Sequence, residues 1–312
     1  FSTGWTVEKM CVCAYVGAMN APLQKPSDRA RKPDWIRVKA PTSPGYAETR
    51  KLMRDLNLHT VCEEAACPNI GECFCSGTAT FLIMGGSCTR NCKFCAIDHD
   101  PHPAPPEMDE PERLAEAAAR LKLNYVVVTS VTRDDLPDGG AGIFAAVIEA
   151  LHRRLPESGV EVLTPDFNGD RDAIAAVLAA KPSVFNHNIE TVERLSNEIR
   201  TRATYRKSLE VLKIAAEIGG GIPVKSGIML GLGESDEEAV QALKDLRAAG
   251  VSIVTIGQYL PPSAEHWPLA RFVTPDEFTR FGEIARELGF SAVASSPLVR
   301  SSYHAGELAR ER

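Results

Sequence analysis

A strand-then-helix pattern, repeated six times between residues 80 and 290, limits the fold of this 312-residue chain more than any other feature. Each unit joins a short apolar run such as "NYVVVTSV" to a run with helical spacing such as "GIFAAVIEALHRRL". Strands separated by helices pair in parallel, and six such units favour a barrel or open barrel over a two-layer sandwich. The sequence therefore predicts an α/β fold, a partial (β/α)6 TIM-type barrel of parallel strands with N-terminal and C-terminal extensions.

The chain outside residues 80–290 divides into three segments. Residues 1–18 lack an initiator methionine and are expected to be an artefact or a disordered leader, with Met19 as the start. Residues 19–79 begin as a Pro-rich arm without periodicity and continue as a helix that carries a cysteine triad. Residues 291–312 are expected to form a C-terminal strand and a tail with the motif "RSSY".

Composition excludes several classes of protein. The chain has 44% hydrophobic and 24% charged residues, and no apolar run approaches the ~20 residues that a membrane-spanning helix requires. A net charge of −6 and a pI of about 5.7 argue against a nucleic-acid-binding surface. The basic stretch "RTRATYRKS" is either a solvated helix face or a docking site for an acidic protein. Nine cysteines without a secretory signal favour a reducing, cytoplasmic location.

The stretch "CTRNCKFC" places three cysteines, Cys88, Cys92 and Cys95, directly after a predicted strand. Three soft thiolates on so short a loop can face one point, which favours an iron–sulfur cluster or zinc. A structural zinc site takes four protein ligands, usually with a second pair at a distance, and no such pair is evident here. A [4Fe–4S] cluster held by three cysteines leaves one iron open to a substrate.

The spacing of these cysteines resembles the signature of the radical S-adenosylmethionine enzymes. In that superfamily the open iron binds the amino and carboxylate groups of S-adenosylmethionine, and one electron cleaves the cofactor to a 5′-deoxyadenosyl radical. The resemblance implies a partial or full (β/α) barrel with this loop after its first strand. It also implies that Phe94 borders the adenine ring.

Another triad, Cys62, Cys67 and Cys73 in "CEEAACPNIGEC", narrows the resemblance further. Because it comes earlier in the chain, it is called the first triad, and Cys88, Cys92 and Cys95 are called the second triad. Together with "RDDLPDGGA", "PDFNGD", "NHNIETV", "KSGIMLGLGE" and "RSSYHA", it resembles the lipoyl synthases, over the range from Trp35 to Ala305. This resemblance implies insertion of two sulfur atoms at C6 and C8 of an octanoyl chain attached to a lysine of a carrier protein. Those carbons are unactivated, so hydrogen-atom abstraction by a cofactor radical is needed rather than acid–base chemistry.

The resemblance also implies a role for the first triad and the tail. The triad would hold an auxiliary [4Fe–4S] cluster that is itself the sulfur source and is dismantled in the reaction. Its fourth ligand would be Ser302, with Ser301 as the less favoured choice. Arg300 would either assist at this cluster as a catalytic residue or form a surface ion pair.

Polar and glycine residues that follow the other predicted strands are candidates for contacting S-adenosylmethionine, because functional residues in such barrels lie at the carboxyl ends of strands. Some have alternatives: Asn188 and Glu190 suit the ribose hydroxyls or a helix cap, and Lys225 suits the cofactor carboxylate or a strand-end charge. The candidates are Thr129, Ser130, Asn188, Glu190, Lys225, Gly231 and Glu234.

The expected cofactors are two [4Fe–4S] clusters and S-adenosyl-L-methionine. The expected partners are octanoylated lipoyl-carrier proteins, namely the glycine cleavage H protein and the E2 subunits of 2-oxoacid dehydrogenases. Reduced ferredoxin or flavodoxin would supply electrons, and iron–sulfur carrier proteins would supply clusters to a monomer without nucleic-acid or membrane partners. The alternatives are a sulfur-inserting enzyme of biotin synthase type and a non-catalytic iron–sulfur electron-transfer protein.

Overall fold

A mostly parallel sheet lies at the centre of the protein, whose computed structural model describes residues 32–36, 44–64, 67, 69–70 and 80–311. The strands are β1 (His59–Thr60), β2 (Thr80–Ile83), β3 (Ser87–Cys88), β4 (Asp98–His99), β5 (Tyr125–Ser130), β6 (Gly159–Leu163), β7 (Val184–Asn186), β8 (Val224–Leu230), β9 (Ile253–Gln258) and β10 (Ala292–Ser295).

Helices follow the strands of the sheet in turn. They are α1 (Pro44–Asp55), α2 (Val61–Glu64), α3 (Glu110–Arg120), α4 (Ala141–Arg154), α5 (Arg171–Ala179), α6 (Glu193–Ile199), α7 (Tyr205–Ile218), α8 (Asp236–Ala248), α9 (Pro275–Glu287) and α10 (Ala305–Leu308). Short 3-10 turns span Asp34–Ile36 and Phe167–Gly169.

The main sheet runs in the order β1-β2-β5-β6-β7-β8-β9-β10, so nearly every strand pairs with the next one along the chain. All pairs in it are parallel except the first, in which β1 lies antiparallel to β2. Within the described residues β1 and β10 each have one neighbour only, so the sheet is open. The predicted α/β fold with a partial barrel of parallel strands is confirmed, and the C-terminal strand β10 joins the same sheet.

The chain between β7 and β8 forms two helices, because Arg200 takes an extended conformation (φ −103°, ψ 130°) that ends α6. Thr204 then begins α7 by accepting a hydrogen bond from the Lys207 N–H. The break brings the turn between the helices against the cysteine loop that follows β2.

Several helices begin at residues that satisfy their free backbone N–H groups. Ser235 and Glu238 form a reciprocal capping box at the start of α8, and Thr274 and Glu277 do the same at α9. These side chains occupy positions where the first turn of a helix has no backbone acceptors. Local sequence therefore determines where both helices start.

The core lies where the apolar faces of the helices meet the sheet. Every residue of β2 is buried, as expected for a parallel strand covered on both sides. Phe144 of α4 is fully buried and packs edge-on against Phe167, with ring centroids 6.0 Å apart. No helix in the described part of the chain is long and apolar enough to span a bilayer.

The C-terminal tail after β10 returns across one face of the sheet. A Cβ on Gly257 of β9 would overlap the carbonyl oxygen of Val299, so the tail lies directly on this strand. Farther along, Leu308 and Ala309 pack in a small apolar cluster with Val184 and Ile253, the first residues of β7 and β9. The tail therefore reaches the amino end of the sheet.

Replacing Phe144 with alanine tests the packing of α4 on the sheet. Phe144→Ala should lower the free energy of unfolding by about 3–5 kcal/mol, because it removes a fully buried ring and leaves a cavity. Phe144→Leu keeps most of the apolar volume and should cost under about 1.5 kcal/mol. Urea denaturation of the metal-free protein followed by circular dichroism measures both, and equal midpoints for the two variants would contradict this packing.

Candidate functional site

The loop that carries Cys88, Cys92 and Cys95 lies at the carboxyl edge of the sheet. It follows β2, and the short parallel pair formed by β3 and β4 closes it. The Asp100 N–H donates to the Cys88 carbonyl at 3.0 Å, which ties the end of the loop to its beginning. The predicted position of this triad after the first parallel strand is therefore what the structure shows.

Backbone groups from neighbouring loops point at two of these sulfur atoms. Cys88 Sγ accepts hydrogen bonds from the N–H groups of Arg90 at 3.4 Å and Thr132 at 3.3 Å. Cys92 Sγ accepts one from the Thr201 N–H at 3.3 Å, in the turn between α6 and α7. Hydrogen bonds from N–H groups favour a thiolate over a thiol, so this environment suits metal ligation.

Partial burial of the loop favours the protonated form of two of its thiols, those of Cys92 and Cys95. Burial, together with the nearby sulfur atoms, raises the pKa of Cys95 to about 12, and burial also raises the pKa of Cys92. Metal binding replaces the thiol proton and offsets this cost, so buried thiols gathered on one loop fit a metal cluster.

No group of three His, Cys, Asp or Glu side chains in the described ranges is gathered tightly enough to hold a single metal ion. In a [4Fe–4S] cluster each thiolate binds a different iron, so its ligands do not converge on one point. Cysteine thiolates are the usual ligands of iron–sulfur clusters, and Cys88, Cys92 and Cys95 provide three of them on one loop.

Arg90, which lies inside the cysteine loop, joins the loop to the loops that follow β5 and β6. Its guanidinium binds both carboxylate oxygens of Asp134 at 2.7 and 2.8 Å and both of Asp166 at 2.8 Å. It also donates to the Asn168 side-chain oxygen at 3.2 Å. A planar guanidinium with five donors suits two bidentate carboxylates. We call this set of four residues the Arg90 clamp.

The three charged side chains of the clamp are almost entirely buried, so their charges interact strongly, whereas Asn168 is exposed. Burial alone would raise the pKa of Asp166, but hydrogen bonds and the charge of Arg90 bring it down to about 2. A carboxyl with a lowered pKa stabilises the fold above its unfolded-state value near 3.9. This contribution is lost as the pH falls toward about 2.

Glu190 and Asn188, two predicted ribose contacts, lie close to the cysteine loop. Burial raises the pKa of Glu190, while the charge of Arg200 and a hydrogen bond from Asn188 act in the opposite direction. Glu190 has a left-handed backbone (φ 65°), which is rare outside glycine, asparagine and aspartate. Its proximity to Cys92 and Cys95 also contributes to the raised pKa of both thiols.

The basic stretch that contains Arg200 does not form one solvated face. Arg200 is 8% exposed and donates to the Ile189 carbonyl at 3.1 Å and to Ser208 Oγ at 2.8 Å. Arg202 and Arg206 are exposed, and Arg206 pairs with Glu193 at 2.6 Å. The stretch thus divides into one buried arginine behind Glu190 and two at the surface.

Lys225 lies away from the carboxyl edge, near the start of β8. It is fully buried, and its ammonium donates to Glu161 Oε1 at 2.8 Å. Asn186 and Tyr125 also donate to the Glu161 carboxylate, at 3.1 and 3.2 Å. This position does not support the expected contact with a cofactor carboxylate. The sequence alone did not show which end of the strand the residue occupies.

Glu234 and Gly231 form a closed turn after β8. The Glu234 carboxylate accepts the N–H groups of Gly231 at 2.6 Å and Leu232 at 2.9 Å. A Cβ on Gly231 would overlap Gln258 and the Arg271 carbonyl oxygen, so glycine is required there by space as well as by its φ of 96°. Both residues thus shape the loop itself.

Thr129, Ser130 and Phe94 occupy different environments near the cysteine loop. Thr129 donates to the Leu163 carbonyl at 2.8 Å and so belongs to the sheet. The Ser130 hydroxyl, at the end of β5, is buried and has no hydrogen-bond partner among the described residues. Phe94 is half-buried and packs against the core. Ser130 is therefore the one of the three with a polar group left to bind a ligand.

The first triad approaches the C-terminal tail. Cys62 is buried, and burial together with nearby Cys67 raises its pKa to about 11. Burial raises the pKa of Cys67 too, although the Asn69 N–H and the positive charge of Arg300 lower it. The Asn69 side chain also donates to the Leu298 carbonyl at 2.8 Å. Cys73 lies outside the described residues.

The two serines of the tail differ in their surroundings. Asn188 Nδ2 donates to Ser301 Oγ at 2.7 Å, and the Ser301 hydroxyl is 3.0 Å from Asn188 Oδ1. The Ser302 hydroxyl makes no hydrogen bond to any residue that the structure describes, and Ser302 is half-buried. Ser302 is therefore the serine with a free oxygen near Arg300.

Sequence reasoning missed the Arg90 clamp and the buried role of Arg200. An arginine between two cysteines, together with aspartates in two loops at the same edge, was the available signal for the clamp. Nothing in the sequence distinguished Arg200 from its exposed neighbours. His266 also contacts the site, with Nε2 3.0 Å from the Cys95 carbonyl oxygen.

Comparison with known families agrees with this geometry. Residues 82–246 match the sequence model of the radical SAM superfamily, which covers the barrel strands β2 and β5 to β8. Residues 8–67 match the model described as the N-terminal domain of lipoyl synthase of the radical SAM family. The second match includes Cys62 and Cys67 and reaches into the segment expected to be a leader.

Curated relatives cover almost the whole chain. A lipoyl synthase from Rubrobacter xylanophilus is 54% identical over 286 residues, 92% of this chain and 89% of the relative. One from Methylococcus capsulatus is 55% identical over 286 residues, 91% of this chain and 88% of the relative. The chain belongs to the lipoyl synthase family. As a lipoyl synthase it is a sulfur-inserting enzyme that uses S-adenosylmethionine and iron–sulfur chemistry and acts on lipoyl-carrier proteins.

Solved structures agree with the fold. The crystal structure of HydG, a maturase of the [FeFe]-hydrogenase, aligns with a TM-score of 0.56 at 16% identity, over 69% of this chain and 50% of that chain. At this identity the similarity shows the fold alone.

Replacing Arg90 tests how much the clamp contributes to the unfolding free energy of the metal-free lipoyl synthase. Arg90→Ala leaves Asp134 and Asp166 buried without their partner, so we expect a loss of about 3–5 kcal/mol in unfolding free energy. Arg90→Lys keeps the positive charge but not the bidentate geometry, so its unfolding free energy should lie between those of the parent protein and Arg90→Ala.

Thermal denaturation of the metal-free protein measures both variants. Arg153→Ala is the matched control, because Arg153 forms an exposed pair with Glu112 that should contribute only about 0–1 kcal/mol. If Arg90→Ala melts at the same temperature as Arg153→Ala, the clamp does not stabilise the fold.

Proposed function

We propose that this lipoyl synthase inserts sulfur at C6 and C8 of an octanoyl chain on a carrier-protein lysine, with one [4Fe–4S] cluster at each triad. The observation that carries this proposal is the meeting of the first triad with the C-terminal tail. Arg300 lowers the pKa of Cys67, and the neighbouring Leu298 accepts a hydrogen bond from Asn69. A segment 229 residues away along the chain is thereby brought to the triad.

The two triads differ in the group that would provide the fourth ligand of the cluster. Cys88, Cys92 and Cys95 lie on one loop at the carboxyl edge of the sheet, where functional groups of such barrels lie. We propose that the open position there binds S-adenosylmethionine. At the first triad, Ser302 would take the open position, since its hydroxyl is free in the described structure.

Three residues near the cysteine loop support a nucleoside-binding site. The Glu190 carboxylate and the Asn188 amide are suited to hydroxyl groups of a ribose. The buried Ser130 hydroxyl lacks a partner among the described residues, and such a group is costly unless a ligand or water binds it. We propose that these side chains orient the cofactor against the cluster.

Each of the two proposed clusters would supply one kind of chemistry. Cys88, Cys92 and Cys95 would hold the cluster that supplies the electron for cleavage of S-adenosylmethionine. Cys62, Cys67 and Cys73, with Ser302, would hold the auxiliary cluster that supplies sulfur. The chain itself holds Cys88, Cys92 and Cys95 on one loop and positions the sulfur atoms of Cys88 and Cys92 with backbone N–H groups. Ser302 is an oxygen donor among soft thiolates, so its bond to iron would be the weakest of the set.

The specific partners stay proposals. We propose the glycine cleavage H protein and the E2 subunits of 2-oxoacid dehydrogenases as carriers, and reduced ferredoxin or flavodoxin as the electron donor. Iron–sulfur carrier proteins would restore the auxiliary cluster after turnover. A monomeric state and a cytoplasmic location remain predictions from the sequence.

Two cysteine variants separate the roles of the triads. Cys88→Ala should abolish cleavage of S-adenosylmethionine, because the cluster that provides the electron is lost. Cys67→Ala should keep cleavage but form no sulfur-containing product, because only the sulfur source is lost. Each variant should retain about four of the roughly eight irons of the reconstituted parent protein.

Mass spectrometry of 5′-deoxyadenosine and of an octanoyl-lysine peptide, with iron analysis, measures these outcomes under anaerobic conditions. Cys92→Ala is the matched control for Cys88→Ala and should behave in the same way. Formation of 5′-deoxyadenosine by Cys88→Ala, or of lipoyl peptide by Cys67→Ala, would contradict the assigned roles.

A further inference from the structure

Two glycines allow the tail segment Val299–Ser301 to lie on the sheet. A Cβ on Gly257 would overlap the Val299 carbonyl oxygen. A Cβ on Gly227 of β8 would lie 2.9 Å from Ser301 Oγ and 2.8 Å from Thr255 Oγ1. Real Cβ atoms essentially never come within 3.0 Å of such neighbours. The position of the tail therefore depends on the absence of side chains at two places in adjacent strands.

Ser301 is the residue of this segment that forms specific polar contacts with the barrel. Its Oγ lies 2.7 Å from Asn188 Nδ2 and 3.0 Å from Asn188 Oδ1, in a partly buried setting beside Gly227. Asn188 follows β7, so the contact joins the tail to a loop 113 residues earlier in the chain. The donor of this hydroxyl and one of its two acceptor sites are thus already used by Asn188.

The same segment is held from the other side by the first triad's loop. The Asn69 side chain donates to the Leu298 carbonyl at 2.8 Å, three residues before Ser301. Between these two contacts, Arg300 is mostly buried and its positive charge acts on Cys67. The tail is thus held at Leu298 and at Ser301, and the residue that follows directly is Ser302.

We infer that Ser301 is a positioning residue whose hydrogen bonds with Asn188 fix the register of the tail and so direct Ser302 toward the first triad. Neighbouring side chains leave the backbone in different directions, so holding one sets the direction of the next. This inference rests on the proposed role of Ser302 as the fourth ligand of the auxiliary cluster. It assigns different tasks to two adjacent serines.

Asn188 extends the effect of this contact to the second triad. Asn188 also lowers the pKa of Glu190, whose negative charge acts on Cys92 and Cys95. The contact between Ser301 and Asn188 is therefore next to a group that influences the second triad. Loss of Ser301 should loosen the tail more than it disturbs Glu190, because Glu190 keeps its interaction with Arg200.

Hydrogen exchange of the metal-free protein tests the contact itself. Ser301→Ala and Asn188→Ala should each speed exchange of the amides of Leu308 and Ala309, at the end of α10, by about fivefold, the effect of one lost hydrogen bond. The double variant should exchange no faster than either single variant, since both remove the same contact. Ser301→Thr keeps the hydroxyl and should restore slow exchange, and Asn197→Ala, at an exposed position of α6, is the control that should change nothing.

Retention of iron tests the consequence for Ser302. In a protein with Cys88, Cys92 and Cys95 all replaced by alanine, only the first triad can hold a cluster. Ser302→Ala and Ser301→Ala should both release iron to a ferrous chelator at least about fivefold faster than this background, and Ser301→Thr should not.

The outcomes separate the inference from the function on which it rests. If the background binds no iron, the auxiliary cluster itself is refuted and the inference falls with it. If the background holds iron and Ser302→Ala releases it faster while Ser301→Ala does not, the positioning role alone is overturned. Exchange in Ser301→Ala equal to that of the parent protein would overturn it as well.

Discussion

The site depends on the return of the C-terminal tail across the face of an open parallel sheet. An open sheet leaves its face and both edges free, and here the tail occupies that face by lying on Gly227 and Gly257. Because the tail also contacts Asn69 and Asn188, it joins the segment of the first triad to the loop after β7, whose Glu190 acts on the cysteines of the second triad. A local change in the tail should therefore affect both sites.

Buried ionic groups hold the remaining parts of the barrel in place. The Arg90 clamp joins the loops after β2, β5 and β6 at the carboxyl edge, and the Lys225–Glu161 pair lies deeper between β6 and β8. Buried pairs of this kind are weak evidence for stability as such, but removing one partner is costly because the other charge stays buried. Such groups therefore resist displacement of the loops that carry the cysteines.

Much of the fold and of the cysteine site was predictable because both depend on local sequence. Buried strands appear as apolar runs, and a cysteine loop directly after a strand must lie at the carboxyl edge. The partners of Arg90, by contrast, are 44 and 76 residues away, and ion pairs over such separations leave no local pattern. The burial of Lys225 and Arg200 leaves no local pattern for a similar reason, since burial of a charged side chain depends on its partners in space.

The central claim is that the two triads hold clusters with different fates, one that serves as a catalyst and one that is consumed. The most direct measurement uses protein reconstituted with heavy-isotope sulfide and incubated anaerobically with S-adenosylmethionine, a reductant and an octanoyl-lysine peptide in unlabelled buffer. The account predicts a peptide product that carries two heavy sulfur atoms, in an amount no greater than that of the protein. A lipoyl product with light sulfur, or no sulfur insertion at all, would contradict it.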